Sequence, residues 1–122
     1  MKNIIVFSLI FQSISSIASG GIHPDKIREV LIKNIPKMRK CYQNELNKGL
    51  KAFDFSPSLN FVINKDGRVQ KSKVTSNSTE MKEVKRTELC VNNVVKGIVF
   101  PKPLGGGNVE VNQTFNFKPK LK

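Results

Sequence analysis

Apolar and polar positions alternate with two different periods along this chain. Ile27, Val30, Leu31, Ile35, Met38, Cys41, Tyr42 and Leu46 recur three and four apart, the stripe of an amphipathic helix. His23 stands where the N-cap would be, with Pro24 at the first helical position and Asp25 in the first turn. Pro36 lies inside the run. It lacks an N–H and crowds the preceding turn, so a kink or a break is expected there. Lys33, Lys37, Lys40 and Lys48 form a basic stripe on the other side, where Glu29 precedes Lys33 by four residues as a surface pair.

From Pro57 the period drops to two. Leu59, Phe61 and Ile63 share one parity, while Ser58, Asn60, Val62 and Asn64 share the other, a half-buried strand. Asn64-Lys65-Asp66-Gly67 reads as a hairpin turn, with Gly67 suited to the left-handed position. The second strand begins at Val69, but its apolar parity then slips to Ser72 and Val74, which predicts a β-bulge near Gln70 or Lys71. That bulge turns Lys71, Lys73 and Thr75 outward. Asn77, Ser78 and Thr79 are loop and cap residues, and Met81, Val84, Thr87, Val91, Val94, Val95 and Ile98 mark a second amphipathic helix. Lys82, Lys85 and Arg86 lie on its polar side. Pro101, Pro103 and Gly105-Gly106-Gly107 connect to a last strand, where Val109, Val111, Phe115 and Phe117 alternate with Glu110, Asn112, Thr114 and Asn116. Gln113 is the one polar residue in the apolar register.

The order helix, strand, strand, helix, strand predicts a two-layer α+β domain. Its three-stranded antiparallel or mixed sheet carries both helices on one face. The tight turn makes the first two strands neighbours, so the third cannot lie between them and must be an edge. Which of the two it joins is left open. Edges that need only protection tend to carry lysine or proline, and Asn108 to Phe117 contains neither. The candidate partner-binding edge is therefore Asn108, Val109, Glu110, Val111, Asn112, Gln113, Thr114 and Asn116.

Ahead of the first helix there is no period. Lys2 is followed by an eight-residue run, apolar but for Ser8, from Ile4 to Phe11, and then by small and polar residues from Ser13 to Gly21. That order is the layout of a secretory signal peptide. Ser16-Ile17-Ala18 places the cut after Ala18, with Ala18-Ser19-Gly20 as a second site. A transmembrane anchor needs about 20 apolar residues, and Gln12 and the serines stop this run well short. No Leu-x-x-Cys pattern of a lipoprotein precedes a cysteine. Residues 1–18 are expected to be signal peptide and 19–122 one domain, with its core at about 22–118 and a basic tail at 118–122. The protein is expected to be exported, periplasmic or extracellular, with no transmembrane segment after cleavage. In an oxidising compartment two cysteines allow one pairing, Cys41 with Cys90. Closing that loop is worth about 4 kcal/mol in the chain-entropy model.

The 122 residues include 21 basic and 9 acidic side chains, a net charge of +12. Removing 1–18 takes away only Lys2, which leaves +11. Such a charge favours anionic polymers, anionic headgroups or acidic proteins as partners. Lys33, Lys37 and Lys40; Lys71 and Lys73; and Lys82, Lys85 and Arg86 are the candidate electrostatic residues.

Several segments together resemble a known family. They are Lys40-Cys41-Tyr42-Gln43, the hairpin Phe61 to Val69, Val74-Thr75-Ser76-Asn77-Ser78, Leu89-Cys90-Val91, Ile98-Val99-Phe100-Pro101, the glycine run and Val109 to Phe115. In this order and spacing they resemble the TonB C-terminal domain superfamily, most of all its AgmX/PglI-type branch with a Cys-Tyr and a second helical cysteine. The resemblance covers about residues 21–118. Ile98 stands where TonB-like domains usually carry tryptophan. TonB itself is membrane-anchored and crosses the periplasm on a long Pro-rich linker, and this sequence holds no such linker. What the resemblance implies is a fold and a binding style, strand addition at the last strand, rather than energy transfer.

No catalytic set assembles. His23, the only histidine, falls at a helix start, and paired cysteines leave no thiol nucleophile. The carboxylates are scattered without the spacing of a metal or acid–base site. The glycine run follows no strand and opens no helix, so it is not a phosphate loop. The reading is a non-enzyme without metal or cofactor. Nucleic-acid binding would want aromatics exposed among the lysines, and only Phe53 and Phe55, in the loop, are candidates for exposure. Two functions remain: an adaptor that binds an envelope protein by strand addition, or a free cationic ligand of anionic envelope polymers such as glycan or lipopolysaccharide.

Overall fold

The first helix begins at His23, whose Nδ1 accepts the Asp25 N–H at 3.1 Å while its carbonyl accepts the N–H of Lys26 at 2.9 Å. In the computed structural model, which describes residues 7–10, 21–48, 52–76 and 81–119, this is helix α1, Pro24–Lys48. It continues through Pro36, so the break expected there does not occur. Ile35, Met38, Cys41 and Tyr42 all fall on its buried stripe. Burying each is worth about 1.5–3 kcal/mol, which together outweighs the roughly 3 kcal/mol that an internal proline costs.

Strands β2 (Ser58–Ile63) and β3 (Val69–Thr75) form the hairpin. The Asn64 side-chain oxygen accepts the N–H groups of Asp66 and Arg68 at 2.9 and 3.0 Å, which builds the turn. Gly67 is held there for two reasons. Its φ is +82°, and a Cβ at that position would lie 2.1 Å from the Phe100 carbonyl oxygen. The bulge falls where the parity slip places it: Asn60 faces Lys73 and Val62 faces Gln70, so Lys71 and Ser72 together oppose Phe61. Lys71 takes a positive φ of 53° to do so.

Helix α2 spans Lys82–Lys96. Its N-cap is Met81 and not one of Asn77, Ser78 or Thr79, which lie outside the described residues. Met81 packs against the core, so the chain enters the helix on an apolar contact instead of a hydroxyl cap. The last strand, β4, is Val109–Phe117. It pairs antiparallel with β2, which makes β2 the middle of an antiparallel three-stranded sheet covered on one face by two helices. A four-residue strand, β1 (Phe7–Ile10), lies antiparallel to β4 on its other side, giving the order β1-β4-β2-β3.

Two ties fix α1 to α2. The Cys41–Cys90 disulfide spans a Cα separation of 5.8 Å, inside the normal range. One turn after Cys41 on α1 and one turn before Cys90 on α2, Arg86 Nε donates to Glu45 Oε1 at 2.9 Å. The pairs 41/90 and 45/86 step in opposite directions, so the helices run antiparallel. In the same way Ser72 bonds to Asn92 and Ser76 to Glu88, which sets α2 antiparallel to β3. Phe53 and Phe55, the two aromatics that the loop left as candidates for exposure, are both buried. Phe55 bridges to Phe117, and Tyr42 donates its hydroxyl to the Phe53 carbonyl with its ring against Phe53, Phe55 and Phe117. The described core runs from Ile22 to Phe117.

Candidate functional site

Backbone direction decides which groups of β4 are left open to pairing beyond β2. The N–H and C=O of Phe117 both bond to Phe55, at 2.7 and 3.0 Å, and the Phe115 N–H bonds to the Pro57 carbonyl at 3.0 Å. Those groups point inward. Successive peptide groups along a strand point to opposite sides, so the N–H and C=O of Thr114 and Asn116 point to the outer edge. Glu110 and Asn112 have the same parity and continue that edge toward Asn108.

Side chains alternate in the other dimension. Val109, Val111, Gln113, Phe115 and Phe117 are buried against the helices, Glu110 and Asn112 are exposed, and Thr114 and Asn116 are half-buried. Across the open face Ser58 and Thr114 bring their hydroxyls to 3.4 Å. An open groove lies nearer the other end of β4, lined by Asn60, Val62, Lys71, Glu110 and Asn112 among others.

The last strand is outermost of the three central strands, as the turn argument requires. In the chain as a whole, however, part of its outer edge is covered. β1 pairs Ser8 with Asn116 and Ile10 with Thr114, with Phe7 opposite Phe117 and Leu9 opposite Phe115. The sequence gives no warning of this, because a run that is apolar but for Ser8 has no period that separates a leader from a strand. The proposed cut site, residues 16–20, lies outside the described residues.

The opposite edge of the sheet is β3, and it is built differently. Lys71, in the bulge, and Lys73 are exposed on it, the usual means of keeping a strand edge from pairing. Asn60 faces Lys73 across the pair, and Lys71 shares the groove with Asn60, so both lysines lie on the sheet face away from the helices. Lys33, Lys37 and Lys40 are exposed on α1, and Lys82 and Lys85 on α2. The candidate cations are thus divided between opposite sides of the molecule. Arg86 has a structural partner in Glu45, whose side chain is only 8% exposed. Lys118 lies 3.7 Å from Asp54, and Lys120 and Lys122 are outside the described residues.

Glu45 was not legible as a tie: one glutamate among lysines on a helix gives no sign that it is buried. Phe53 and Phe55 did leave a signal, their two-residue spacing just ahead of a strand. Cys41 and Cys90 are disulfide-bonded, so neither offers a thiolate. Among the described residues no three His, Cys, Asp or Glu side chains come together as a metal site, and no helix is long and apolar enough to cross a membrane. No protein-family model matches this chain, and neither the curated proteins nor the solved structures contain a significant match to it.

Proposed function

We propose that this protein is an exported, non-catalytic binding module of the cell envelope that recognises a protein partner by strand addition at the outer edge of β4. The resemblance to TonB C-terminal domains implies the same mode. The observation that carries the reading is the contrast between the two sheet edges. β3 is bulged and carries exposed Lys71 and Lys73, whereas β4 has neither lysine nor proline and already holds a strand against Thr114 and Asn116. The competing polymer reading draws on the net charge of +12, but its lysines are spread over two opposite faces instead of forming one track. Export carries its own check: N-terminal sequencing of protein from an exporting host should begin at Ser19 or within a few residues of it.

The test sets backbone against charge. Thr114→Pro and Asn116→Pro each delete an outward N–H without removing a bond to β2. Each should weaken capture of envelope proteins at least about fivefold, since a lost hydrogen bond and the proline ring act together. Lys71→Glu with Lys73→Glu should mainly slow association and reduce its salt dependence. Proline variants that fold and bind normally, beside lysine variants that lose binding to lipopolysaccharide vesicles, would overturn the adaptor reading.

A further inference from the structure

Strand addition at β4 leaves a question that the pairing of β1 answers. Phe7-Ser8-Leu9-Ile10 carries no charge, and the stretch it meets, Thr114 to Phe117, carries none either. The bonds available between them come from the outward backbone groups of Thr114 and Asn116, the groups a partner strand would need. We infer that the N-terminal segment and the partner compete for one site, so that the uncleaved chain is self-capped and removal of its leader opens the recognition edge. This rests on reading that edge as the binding site, and it specifies the occupant: an uncharged, extended segment, antiparallel to β4, seated on its C-terminal half.

The competition is strongly one-sided while the leader is attached. A tethered segment acts at an effective concentration of about a millimolar. A free strand of equal intrinsic affinity, present at micromolar concentration, is therefore at a disadvantage on the order of a thousandfold. The precursor is closed to partners, and the processed protein is open.

Residue-resolved amide exchange on the full chain tests this. Ser8 stands opposite Asn116, so Ser8→Pro removes a donor aimed at β4 while leaving the core from Ile22 to Phe117 intact. In the unaltered chain the Thr114 and Asn116 amides should exchange at least about tenfold more slowly than in Ser8→Pro, because a bond that is rarely open protects its N–H. Phe115 and Phe117, whose amides face inward, should be unchanged and so report that the domain is folded. A peptide of residues 6–11 with glutamates at both ends should restore protection at Thr114 and Asn116 in Ser8→Pro, and should add none to the unaltered chain. Equal exchange at Thr114 and Asn116 in the two chains would overturn the self-capping. Equal binding of the peptide by both chains would overturn it too while leaving the edge reading standing; binding by neither would overturn both.

Discussion

Tyr42 is the chain's only tyrosine, and its hydroxyl reaches the Phe53 carbonyl from inside the aromatic cluster that joins α1 to β4. Burial pushes its phenol pKa well above the ordinary value, and the Asp54 carboxylate adds to the shift. The folded state therefore holds the phenol neutral, whereas the unfolded chain ionises it near pH 10. Its contribution is fully present below about pH 10 and is lost as pH rises beyond that value. Tyr42→Phe should cost about 1 kcal/mol at neutral pH. Denaturation of both proteins across the alkaline range should show that difference holding steady to about pH 10 and then shrinking; a difference that grows above pH 10 would contradict the burial argument. At the same scale, Gln113 takes its place in the apolar register of β4 and is buried there, with its Nε2 3.3 Å from the Thr114 carbonyl. A single polar residue therefore does not interrupt the strand.

At the scale of elements, the helix pair depends on a covalent tie and an ionic one, a turn apart. Cys41→Ala should cost about 2–5 kcal/mol, the range for losing a native disulfide from a small domain. Denaturant titration of the oxidised protein, the reduced protein and the variant checks this: the last two should agree with each other and fall well below the first. Equal stability in all three would show that the Glu45–Arg86 pair and the packing suffice. The two helices and three central strands are legible in the sequence because each has a clear period, and the bulge is legible because a parity slip has few other causes. The sheet order is not, since a hairpin fixes which strands are neighbours but not which of them a third strand joins. The inward turn of Phe53 and Phe55 and the continuation of α1 past Pro36 are also set by distant contacts. Local rules see Pro36, whereas the burial of Met38, Cys41 and Tyr42 decides.

For the whole molecule, the sheet has two unlike edges and the positive charge has no single face. Lysine on α1 and α2 points away from one side of the domain, and Lys71 and Lys73 lie on the other. Such a distribution attracts anionic surroundings from many directions, which suits steering better than selective recognition. The candidate site was legible in part: the turn and the composition of Asn108 to Phe117 single out β4. Which amides face outward follows only from the bonds of Phe115 and Phe117, and the competition with Phe7–Ile10 only from the register. The most direct measurement places a photoreactive amino acid at Asn116 of the processed protein, and separately at Lys37, in an exporting cell. Irradiation is predicted to yield a discrete adduct with an envelope protein from position 116 and little from position 37. Adducts from position 37 with none from position 116 would contradict recognition at the β4 edge.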